Sequence, residues 1–510
     1  MPRYAAIDIG SNSVRMLAAE LAPGAPTRIL AAERQVTRLG EGVFRNGFLT
    51  SEAMDFACAT LTSMARIYQQ LDVVGVRAVA TSAVRDARNQ VEFLQRASDA
   101  IGAPVELISG QEEARLIHLG VQARWPHPKQ RVLIIDIGGG SAELILSEQG
   151  RMTAAFSRPL GAVRLTEAFL KHDPPEPAEL HRLDEYIEEK LAGPIQRIGT
   201  GPWNRAIATS ATASAVVCAV NRIPRSRRDS ADRLRATVPQ VRKFFDAVSR
   251  RDLNARRKLT GIGPRRAEII IPGAAVLMRA MRDFHLPPIW YSDAGVRDGV
   301  IADLAARRVG EELTQLSREQ RRVVEDTARH YGVQVKHARK VASLAHTLFD
   351  SFQSLHELPP NTGRLLEAAA YLHDTGHYVS DTRHHKHSYY LVANSDMPGF
   401  TDRERLLIAN LCRYHRRALP APVHDNLQLL SAEERRTVDL LHPLLRLADS
   451  LDRSHDQRVE NLECQIHDNT VVLHIRSAAD TDLEEWAGEK AAEIFHKVYQ
   501  RPLSLVRVRS

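Results

Sequence analysis

A short motif occurs twice in this chain, each time directly after an apolar run that predicts a strand. Residues 7–10 and residues 135–138 both read Ile-Asp-Ile-Gly, and a serine follows each copy three positions after the glycine. In each copy Asp ends the strand, Gly permits a tight turn with inward-pointing backbone N–H groups, and Ser adds a hydroxyl donor. The repeat predicts two homologous lobes whose loops hold a phosphate chain from both sides. The predicted phosphate-binding residues are Gly10, Ser11, Asn12, Ser13, Gly138, Gly139, Gly140 and Ser141.

Changes of pattern along the chain predict several domains. The 510 residues are too many for one hydrophobic core, and 44% of them are hydrophobic, which is enough to form more than one. The predicted fold class is α/β, with two homologous lobes followed by an all-α domain and a small α+β tail. The predicted ranges are 1–125, 126–309, 310–455 and 456–510, and a Pro-containing stretch at 125–128 marks the first border.

The sequence predicts a cytoplasmic protein without a membrane anchor. No apolar run reaches the roughly 18 residues of a membrane span, and residues 1–4 lead into a predicted strand without a signal-peptide hydrophobic region. The four cysteines lie far apart with no Cys-x-x-Cys pair, which argues against zinc fingers and a disulfide framework. We expect them to be reduced core thiols.

The formal charge of +7 is concentrated in arginine-rich stretches at residues 222–228 and 250–258. Such stretches favour a polyanionic partner, although a solvated surface is the more common role of a charge run. Aromatic residues make up only 5% of the chain, and no zinc motif or basic zipper accompanies the charge, so nucleic acid is not the expected partner. Inorganic polyphosphate fits the charge equally well.

Two segments of the first lobe carry candidate catalytic groups. Arg85 closes a predicted strand, and its planar guanidinium can donate two parallel hydrogen bonds to a phosphate, although such an arginine is more often a surface ion-pair residue. Glu112 and Glu113 begin a predicted helix, where glutamates commonly complement the helix dipole. Phosphoanhydride hydrolysis needs a carboxylate that deprotonates water, so one of them is a candidate general base, and the residues alone do not choose between them.

The second loop brings two further carboxylates close together. Residues 141–143 read Ser-Ala-Glu, so Glu143 lies in the outgoing strand near Asp136. Carboxylate oxygens hold Mg²⁺ directly or through water, and the ion would neutralise phosphate charge. Asp136 and Glu143 are therefore candidate Mg²⁺ ligands.

The chain resembles the exopolyphosphatase and guanosine pentaphosphate phosphatase family in residues 6–13, 80–85, 108–114, 135–143, 266–268 and 292–299. This resemblance implies two lobes of the actin, sugar kinase and acetate kinase superfamily, with phosphates held in the cleft between them. It implies that Glu113 is the catalytic base and that Arg85 contacts substrate phosphate. It further implies loop donors at Ser13 and Ser141, a magnesium region at Asp136 and Glu143, and a homodimer.

One segment departs from the family pattern. Residues 208–212 read Ala-Thr-Ser-Ala-Thr where the family usually shows a glycine-rich Gly-x-x-Gly-Thr turn. Alanine lacks the freedom of glycine at positive φ and adds a methyl group where a backbone would approach a ligand. The departure disfavours nucleotide binding at this turn.

The helical region contains histidines and aspartates in a pattern typical of a second metal site. His337, the adjacent pair His373 and Asp374, and Asp449 come from three separate predicted helices and can meet at one divalent metal. In this pattern the region resembles the HD metal-dependent phosphohydrolase superfamily. The alternative is an HD-like fold that has lost its metal. His387 and His415 are candidate additional ligands, although residues 384–387 could equally be a polar surface turn. The sequence Thr-Gly-His at residues 375–377 replaces an acidic pair, which disfavours guanosine tetraphosphate hydrolysis.

The leading expectation is an exopolyphosphatase that uses Mg²⁺ and releases terminal orthophosphate from inorganic polyphosphate by direct attack of water. The first alternative is hydrolysis of guanosine pentaphosphate at the same site. The second is a regulatory protein that senses polyphosphate or nucleotide and carries an HD-type metal site.

Overall fold

The computed structural model describes residues 1–21, 27–224, 226–227, 231–307, 315–467 and 469–509. The chain divides into two compact units, unit 1 (Met1–Gly310) and unit 2 (Glu311–Ser510). Among the described residues, no helix has both the length and the apolar character needed to cross a membrane.

The strands of unit 1 are β1 (Arg3–Ile9), β2 (Val14–Glu20), β3 (Arg28–Gln35), β4 (Gly75–Ala80), β5 (Val105–Leu107), β6 (Arg131–Ile137), β7 (Ala142–Glu148), β8 (Arg151–Arg158), β9 (Arg205–Thr209), β10 (Arg235–Ala236) and β11 (Ile289–Tyr291). Its helices are α1 (Val43–Asn46), α2 (Ser51–Gln69), α3 (Ser82–Asp86), α4 (Gln90–Ile101), α5 (Gly110–Arg124), α6 (Ala162–Phe169), α7 (Pro177–Ile198), α8 (Ser210–Val220), α9 (Val238–Ser249), α10 (Leu253–Arg257), α11 (Ile270–Asp283) and α12 (Val296–Ala306).

Two sheets in the described part of unit 1 repeat one topology. Their strand orders are β3-β2-β1-β4-β5 and β8-β7-β6-β9-β11, with β10 added beside β11. In both sheets the motif strand, β1 or β6, is antiparallel to the next strand and parallel to β4 or β9. The repeated sequence motif therefore lies at equivalent positions of two actin-like α/β lobes, which confirms the predicted fold class.

Helices α5 and α12 join the two lobes. One face of α5 packs Ala114, Ile117 and Val121 against the second sheet. Leu116 lies with α12 residues against the first sheet. Helix α12 follows the second lobe in sequence and falls within the predicted range 126–309, yet it packs against β1 of the first lobe.

Unit 2 contains α13 (Arg318–His330), α14 (Val335–Ser351), α15 (Gln353–His356), α16 (Gly363–Leu372), α17 (His384–Asn394), α18 (Asp402–Tyr414), α19 (Asp425–Gln428), α20 (Ala432–Ser450), α21 (Asp482–Tyr499), the strands β12 (Asn461–Ile466), β13 (Val471–Ser477) and β14 (Leu503–Arg509), and 3-10 turns at Pro360–Thr362 and Thr375–Tyr378. The three strands form one sheet in the order β12-β13-β14. The sheet and α21 share a hydrophobic core with the helices, as the Phe352 and Phe495 rings show at a centroid distance of 5.0 Å. The predicted border at residue 455 therefore lies within one packed unit.

The crossing of α5 and α12 depends on glycine. A Cβ placed on Gly299 would lie 1.7 Å from the Leu116 carbonyl oxygen, so the helix backbones touch at this point. We expect Gly299→Ala to lower the free energy of unfolding by at least about 1–3 kcal/mol, because the helices must separate to admit the methyl group. Thermal unfolding of the full chain measures this change.

The control for this prediction is Gly193→Ala in α7. Apart from its chain neighbour Pro194, a Cβ at Gly193 would meet the flexible end of Arg158, at 3.8 Å, so the gain in helix propensity and the crowding against the proline ring should leave the free energy of unfolding within about 1 kcal/mol of that of the unmodified protein. Equal unfolding temperatures for the two variants would show that the α5–α12 crossing is looser than described.

Candidate active site

The two repeated loops have the same backbone turn and lie against each other. The Gly10 N–H donates to the Ser13 carbonyl at 3.2 Å, and the Gly138 N–H donates to the Ser141 carbonyl at 3.0 Å. A Cβ on Gly139 would lie 2.9 Å from the Ser11 Cβ, so glycine is needed where the loops meet. All eight predicted loop residues line one cavity of about 400 Å³ between the lobes.

The two hairpins carry different charges beside the cleft. Asp8 pairs across the strands with Arg15, and Asp136 pairs in the same register with Glu143. Directly opposite residues in an antiparallel pair project from the same face. The first hairpin therefore presents a carboxylate with a cation, and the second presents two carboxylates.

The start of α5 is held against the second lobe. Ser109 caps the helix by accepting a hydrogen bond from the Glu112 N–H at 3.1 Å. The Gln111 side chain donates to the Ala155 carbonyl in β8 at 2.9 Å, and Gly110 is so close to Ser157 that a Cβ there would lie 2.4 Å from the Ser157 Cβ. This anchoring determines where the two glutamates of the first helical turn point.

Glu112 points into a buried ion network. Its carboxylate accepts hydrogen bonds from Arg115 at 2.8 Å and from Arg77 at 3.1 Å, and both arginines also bind Asp303 of α12. Although burial alone would raise the pKa of Glu112, the Arg115 and Arg77 guanidinium groups hold it below its ordinary value. Through these ion pairs Glu112 links α5 to β4 and α12.

Glu113 faces the cleft instead. It lines the cavity, and its carboxylate lies 3.6 Å from the Arg85 guanidinium. Burial raises the pKa of Glu113 to about 7; Arg85 opposes the rise, and the negative charges of Asp8 and Asp136 add to it. Of the two glutamates that the sequence left as alternatives, Glu113 is therefore the one placed to accept a proton in the cleft.

Arg85 is positioned beside Glu113 and does not appear among the described residues that line the cavity. Its guanidinium donates to the Ile108 carbonyl at 2.6 Å. Its role as a direct phosphate contact stays a prediction.

Sequence reasoning missed the arginines that do line the cavity, which are Arg15, Arg34, Arg266 and Arg297. Superposing the two repeats would have found Arg15, since it occupies the position of Glu143. Arg266 and Arg297 lie in segments that resemble the family, which is the signal that could have found them.

The carboxylates of the cleft form a set that fits a cation. Burial raises the pKa of Asp136 to about 6, and burial together with the nearby Glu113 carboxylate raises that of Glu143 well above its ordinary range. Glu143 is 1% exposed, lies outside the cavity lining and accepts a hydrogen bond from Ser157 at 2.8 Å. The Oε2 atoms of Glu113 and Glu143 are buried and form no hydrogen bond with a described residue. Carboxylates that repel one another, with a buried Glu143 oxygen that has no described hydrogen-bond partner, match the ligand chemistry of Mg²⁺.

The turn that departs from the family pattern is tied to the end of β6. Ser210 has a left-handed backbone with φ 75°, a conformation in which glycine would be unstrained. The hydroxyls of Ser210 and Thr212 both donate to the Ile137 carbonyl, at 2.9 and 3.0 Å, and Thr209 donates to the Asp136 carboxylate. These hydrogen bonds hold the turn against the second phosphate loop.

Some arginines of the two basic stretches, residues 222–228 and 250–258, form hydrogen bonds and ion pairs within the fold. Arg256 is buried and donates to the Ala267 carbonyl at 3.0 Å, and Arg257 pairs with Glu268 at 3.1 Å. Arg225 and Arg228 lie outside the described residues.

In unit 2 the structure brings the predicted metal ligands together. The Nε2 atoms of His337 and His373 each lie 3.4 Å from one Asp449 oxygen, and Asp374 Oδ2 lies 3.6 Å from His373 Nε2. His415 Nε2 is 3.8 Å from the other Asp374 oxygen.

The structure corrects two sequence predictions about residues 384–387: that His387 is a metal ligand, and that these residues form a surface turn. His384, and not His387, approaches Asp374, at 3.6 Å. Residues 384–387 do not form a surface turn, because they begin α17 and both His384 and His385 are buried. The correction follows from helical periodicity, since His384 and Ser388 share the inward face of α17.

Family comparison agrees with this architecture. The family model of the Ppx/GppA phosphatase family matches residues 18–308, and that of domain III of Ppx/GppA phosphatases matches residues 320–487. The chain belongs to the Ppx/GppA phosphatase family. It is therefore a phosphatase of that family, as the resemblance predicted.

Solved structures of similar proteins cover about three-fifths of the chain. A Ppx/GppA enzyme of Aquifex aeolicus is 29% identical, with a TM-score of 0.52, and covers 59% of this chain and 99% of its own. An exopolyphosphatase from Cytophaga hutchinsonii is 26% identical, with a TM-score of 0.55, and the match covers 59% of this chain and 97% of that protein. An exopolyphosphatase-like protein is 25% identical, with a TM-score of 0.57, and the match covers 61% of this chain and 99% of that protein.

The adjacent glutamates should differ in their effects on stability. Glu112→Gln breaks a buried ion network, so it should lower the free energy of unfolding by about 3–5 kcal/mol. The folded-state pKa of Glu113, about 7, exceeds its ordinary value of 4.5, so this residue favours the folded state below pH 4.5 and loses that contribution as the pH rises through 7. Glu113→Gln should therefore be at least as stable as the unmodified protein at pH 8.

Thermal unfolding at pH 5 and pH 8, with chelator present to remove divalent ions, measures both effects. Relative to the unmodified protein, Glu113→Gln should gain stability between pH 5 and pH 8. A larger loss in Glu113→Gln than in Glu112→Gln at pH 8 would contradict the assignment of the two side chains.

Proposed function

We propose that this phosphatase is an exopolyphosphatase, which uses Mg²⁺ and releases terminal orthophosphate from inorganic polyphosphate. The observation that carries the proposal is the position of Glu113, a carboxyl with a pKa of about 7 in a polar cavity whose wall includes both phosphate-type loops. The exopolyphosphatase of Cytophaga hutchinsonii adds support, since it covers three-fifths of this chain.

The two loops would bind the terminal phosphate. Their backbone N–H groups and the Ser13 and Ser141 hydroxyls supply donors without adding charge. Arg15 donates to Ser13 Oγ at 3.3 Å and Arg297 donates to the Met16 carbonyl at 3.0 Å, which orients both guanidinium groups at the cavity wall. Two arginines would offset part of the charge that develops on the equatorial oxygens during phosphoryl transfer.

Glu113 would act as the general base. Its carboxylate takes a proton from a water molecule as the water oxygen attacks the terminal phosphorus, and the bond from that phosphorus to the bridging oxygen breaks. The products are orthophosphate and a polyphosphate shorter by one unit. A pKa of about 7 suits this role near neutral pH, because the base is largely ionised and still basic enough to accept the proton.

Asp136 and Glu143 would hold Mg²⁺, with Asp8 as a further ligand from the equivalent position of the first hairpin. When bound, Mg²⁺ neutralises phosphate charge and lowers the mutual repulsion of these carboxylates. The buried, unused oxygen of Glu143 supports this assignment.

Polyphosphate is favoured over guanosine pentaphosphate by the lining of the cavity. Tyr291 is the one aromatic residue among its described lining residues, which are otherwise mostly glycine, serine, aspartate, glutamate and arginine. Such a surface suits a chain of phosphates and offers little area for a guanine ring. Guanosine pentaphosphate hydrolysis at the same site is the alternative activity, and a polyphosphate- or nucleotide-sensing protein is the alternative class.

The cytoplasmic location, the homodimer and the absence of a nucleic-acid partner stay predictions of the sequence. The placement of Glu113 in the cleft argues for turnover and against binding alone.

Replacing the base should separate catalysis from binding. Glu113→Gln should lower kcat for polyphosphate at least ~100-fold, because water loses its proton acceptor, and should leave KM within a few-fold. Release of orthophosphate by the purified full chain measures both constants.

Glu112→Gln is the matched control, with the same chemical change one residue away. Its folded fraction should lose much less turnover than Glu113→Gln, because Glu112 positions α5 through the ion network but points away from the cavity. Normal kcat in Glu113→Gln would remove Glu113 from the role of base.

The two substrates should be ranked by one assay. With polyphosphate and guanosine pentaphosphate side by side, we expect kcat/KM to be at least ~10-fold higher for polyphosphate, equivalent to about 1.4 kcal/mol. The reverse ranking would assign guanosine pentaphosphate as the substrate. Binding of both by folded protein without turnover of either would place the protein in the sensing class.

A further inference from the structure

Helix α6 begins directly behind the second phosphate loop. The Ala162 N–H donates to the Gly138 carbonyl at 3.0 Å. The Val163 N–H donates to the Gly139 carbonyl at 2.8 Å. A Cβ on Gly161, the residue before the helix, would collide with the same Gly139 carbonyl. The start of α6 and the loop are therefore in direct backbone contact.

The third carbonyl of this loop is held by a side chain. Arg164 Nε donates to the Gly140 carbonyl at 2.7 Å. The same guanidinium donates to Ser82 Oγ at 3.2 Å and to the Asp86 carboxylate at 2.6 Å, both in α3 of the first lobe. It also lies over the Phe44 ring, 4.0 Å from the centroid. Arg164 therefore joins a loop of the second lobe to the first lobe.

These contacts determine where the N–H groups of the loop point. In a planar trans peptide the C=O and N–H bonds point in opposite directions. Since the carbonyls of residues 138–140 are bound from the side of α6, the N–H groups of residues 139–141 face away from it. Those three N–H groups donate to no described residue, and all three residues line the cavity. Unpartnered backbone donors that converge on a cavity form an anion-binding nest.

We propose that Arg164 is the positioning residue of this nest of residues 139–141. By binding the Gly140 carbonyl, it turns the next peptide so that the Ser141 N–H faces a bound phosphate. The inference rests on the proposed function, because it takes the second loop as a phosphate site. Arg164 is absent from the described residues that line the cavity, so it acts through the loop and not by touching the substrate.

The first loop is held in a different way. Its Ser11 carbonyl accepts a hydrogen bond from the Gly40 N–H at 2.6 Å. Its Asn12 carbonyl accepts hydrogen bonds from the Thr37 and Arg38 N–H groups, both at 3.2 Å. Backbone groups thus orient the first loop. In the second loop, backbone groups hold two carbonyls, and among the described residues a single side chain holds the third.

The contacts of Arg164 need the planar fork of an arginine. Nε binds Gly140 while Nη2 binds Ser82 and Asp86, so one rigid group serves both lobes at once. Gly140 itself packs against the first lobe, since a Cβ there would lie 2.9 Å from the Ser82 Cβ. The nest is therefore complete only when α3 of the first lobe is in contact with Arg164.

Binding of orthophosphate to the full chain tests the proposal without turnover. Equilibrium dialysis with radiolabelled orthophosphate and Mg²⁺ measures the dissociation constant. Arg164→Ala should raise this constant at least ~10-fold, because it removes the charge-assisted hydrogen bond that holds the Gly140 carbonyl. Arg164→Lys keeps the charge but loses the planar fork, so its dissociation constant should lie between those of the unmodified protein and Arg164→Ala.

Polyphosphate turnover separates positioning from a folding defect. Arg164→Ala should lower kcat/KM at least ~100-fold, with most of the loss in kcat, because the nest stabilises charge that develops in the transition state. Ethylguanidinium has the atoms that this substitution deletes. Its addition should raise the kcat/KM of Arg164→Ala in a saturable manner, which a misfolded variant would not show.

Arg45→Gln is the matched control. Arg45 is an exposed residue of the first lobe that donates to the Glu167 carbonyl of α6 at 3.3 Å. It also links the first lobe to α6, but no hydrogen bond or ion pair joins it to a described residue of either phosphate loop. Its dissociation constant for orthophosphate and its kcat/KM should stay within ~2-fold of those of the unmodified protein.

Asp86→Ala tests the link to the first lobe. This substitution removes an anchor of the guanidinium and keeps Arg164, so it should lower kcat/KM by about 3-fold. Combined with Arg164→Ala it should cause no further loss, because the two residues act through one contact. Losses that add would overturn the anchoring of Arg164 by Asp86.

The contrary results separate this inference from the proposed function. If Arg164→Ala matches Arg45→Gln in binding and turnover, the inference fails and the proposed function stands. If the unmodified chain binds orthophosphate but releases none from polyphosphate, the proposed function fails, and the dialysis experiment alone decides the role of Arg164. An unmodified chain that binds neither orthophosphate nor polyphosphate would overturn both.

Discussion

The buried ion network at the start of α5 is the interaction on which the candidate active site depends. Arg77 of β4, Glu112 and Arg115 of α5 and Asp303 of α12 are nearly excluded from water and bind one another. Buried charges are costly unless every partner is present, so such a network permits one arrangement of the three elements and penalises others. Because Glu112 is fixed in the network, the next side chain of the helix must project in another direction. That direction is the cleft, where Glu113 loses most of its hydration and becomes a weaker acid.

The cleft itself is built from a repeated hairpin whose two copies differ in charge. Both copies use the same strand register and the same glycine-to-serine hydrogen bond, so their backbones supply similar phosphate donors. The side chain opposite the strand-end aspartate is Arg15 in one copy and Glu143 in the other. One duplicated structure can thus place a cation beside one loop and a pair of carboxylates beside the other, which suits the Mg²⁺-dependent phosphoryl transfer that we propose.

The two units arrange ionisable groups by different rules. In unit 1 the cleft collects carboxylates, whose oxygens suit Mg²⁺, together with arginines and backbone N–H groups, which donate hydrogen bonds to phosphate. In unit 2 the helices direct imidazoles inward, and carbonyls or aspartates hold their outer nitrogens. The donor atoms of the two sites therefore differ, and the metal binding that the sequence predicts for unit 2 stays a prediction.

The sequence by itself determined the duplicated lobes, the loop residues and the family, because strand-turn motifs are local and repeat in the same order. It also predicted four of the metal-ligand candidates. It could not choose between Glu112 and Glu113, since neighbours on a helix differ only in what each faces, and Arg77 and Asp303 reach Glu112 from distant parts of the chain. The same limit directed attention to His387, although His384 lies on the inward face of α17. Only the tertiary structure decided these points, because the direction of a side chain is set by the elements packed around it.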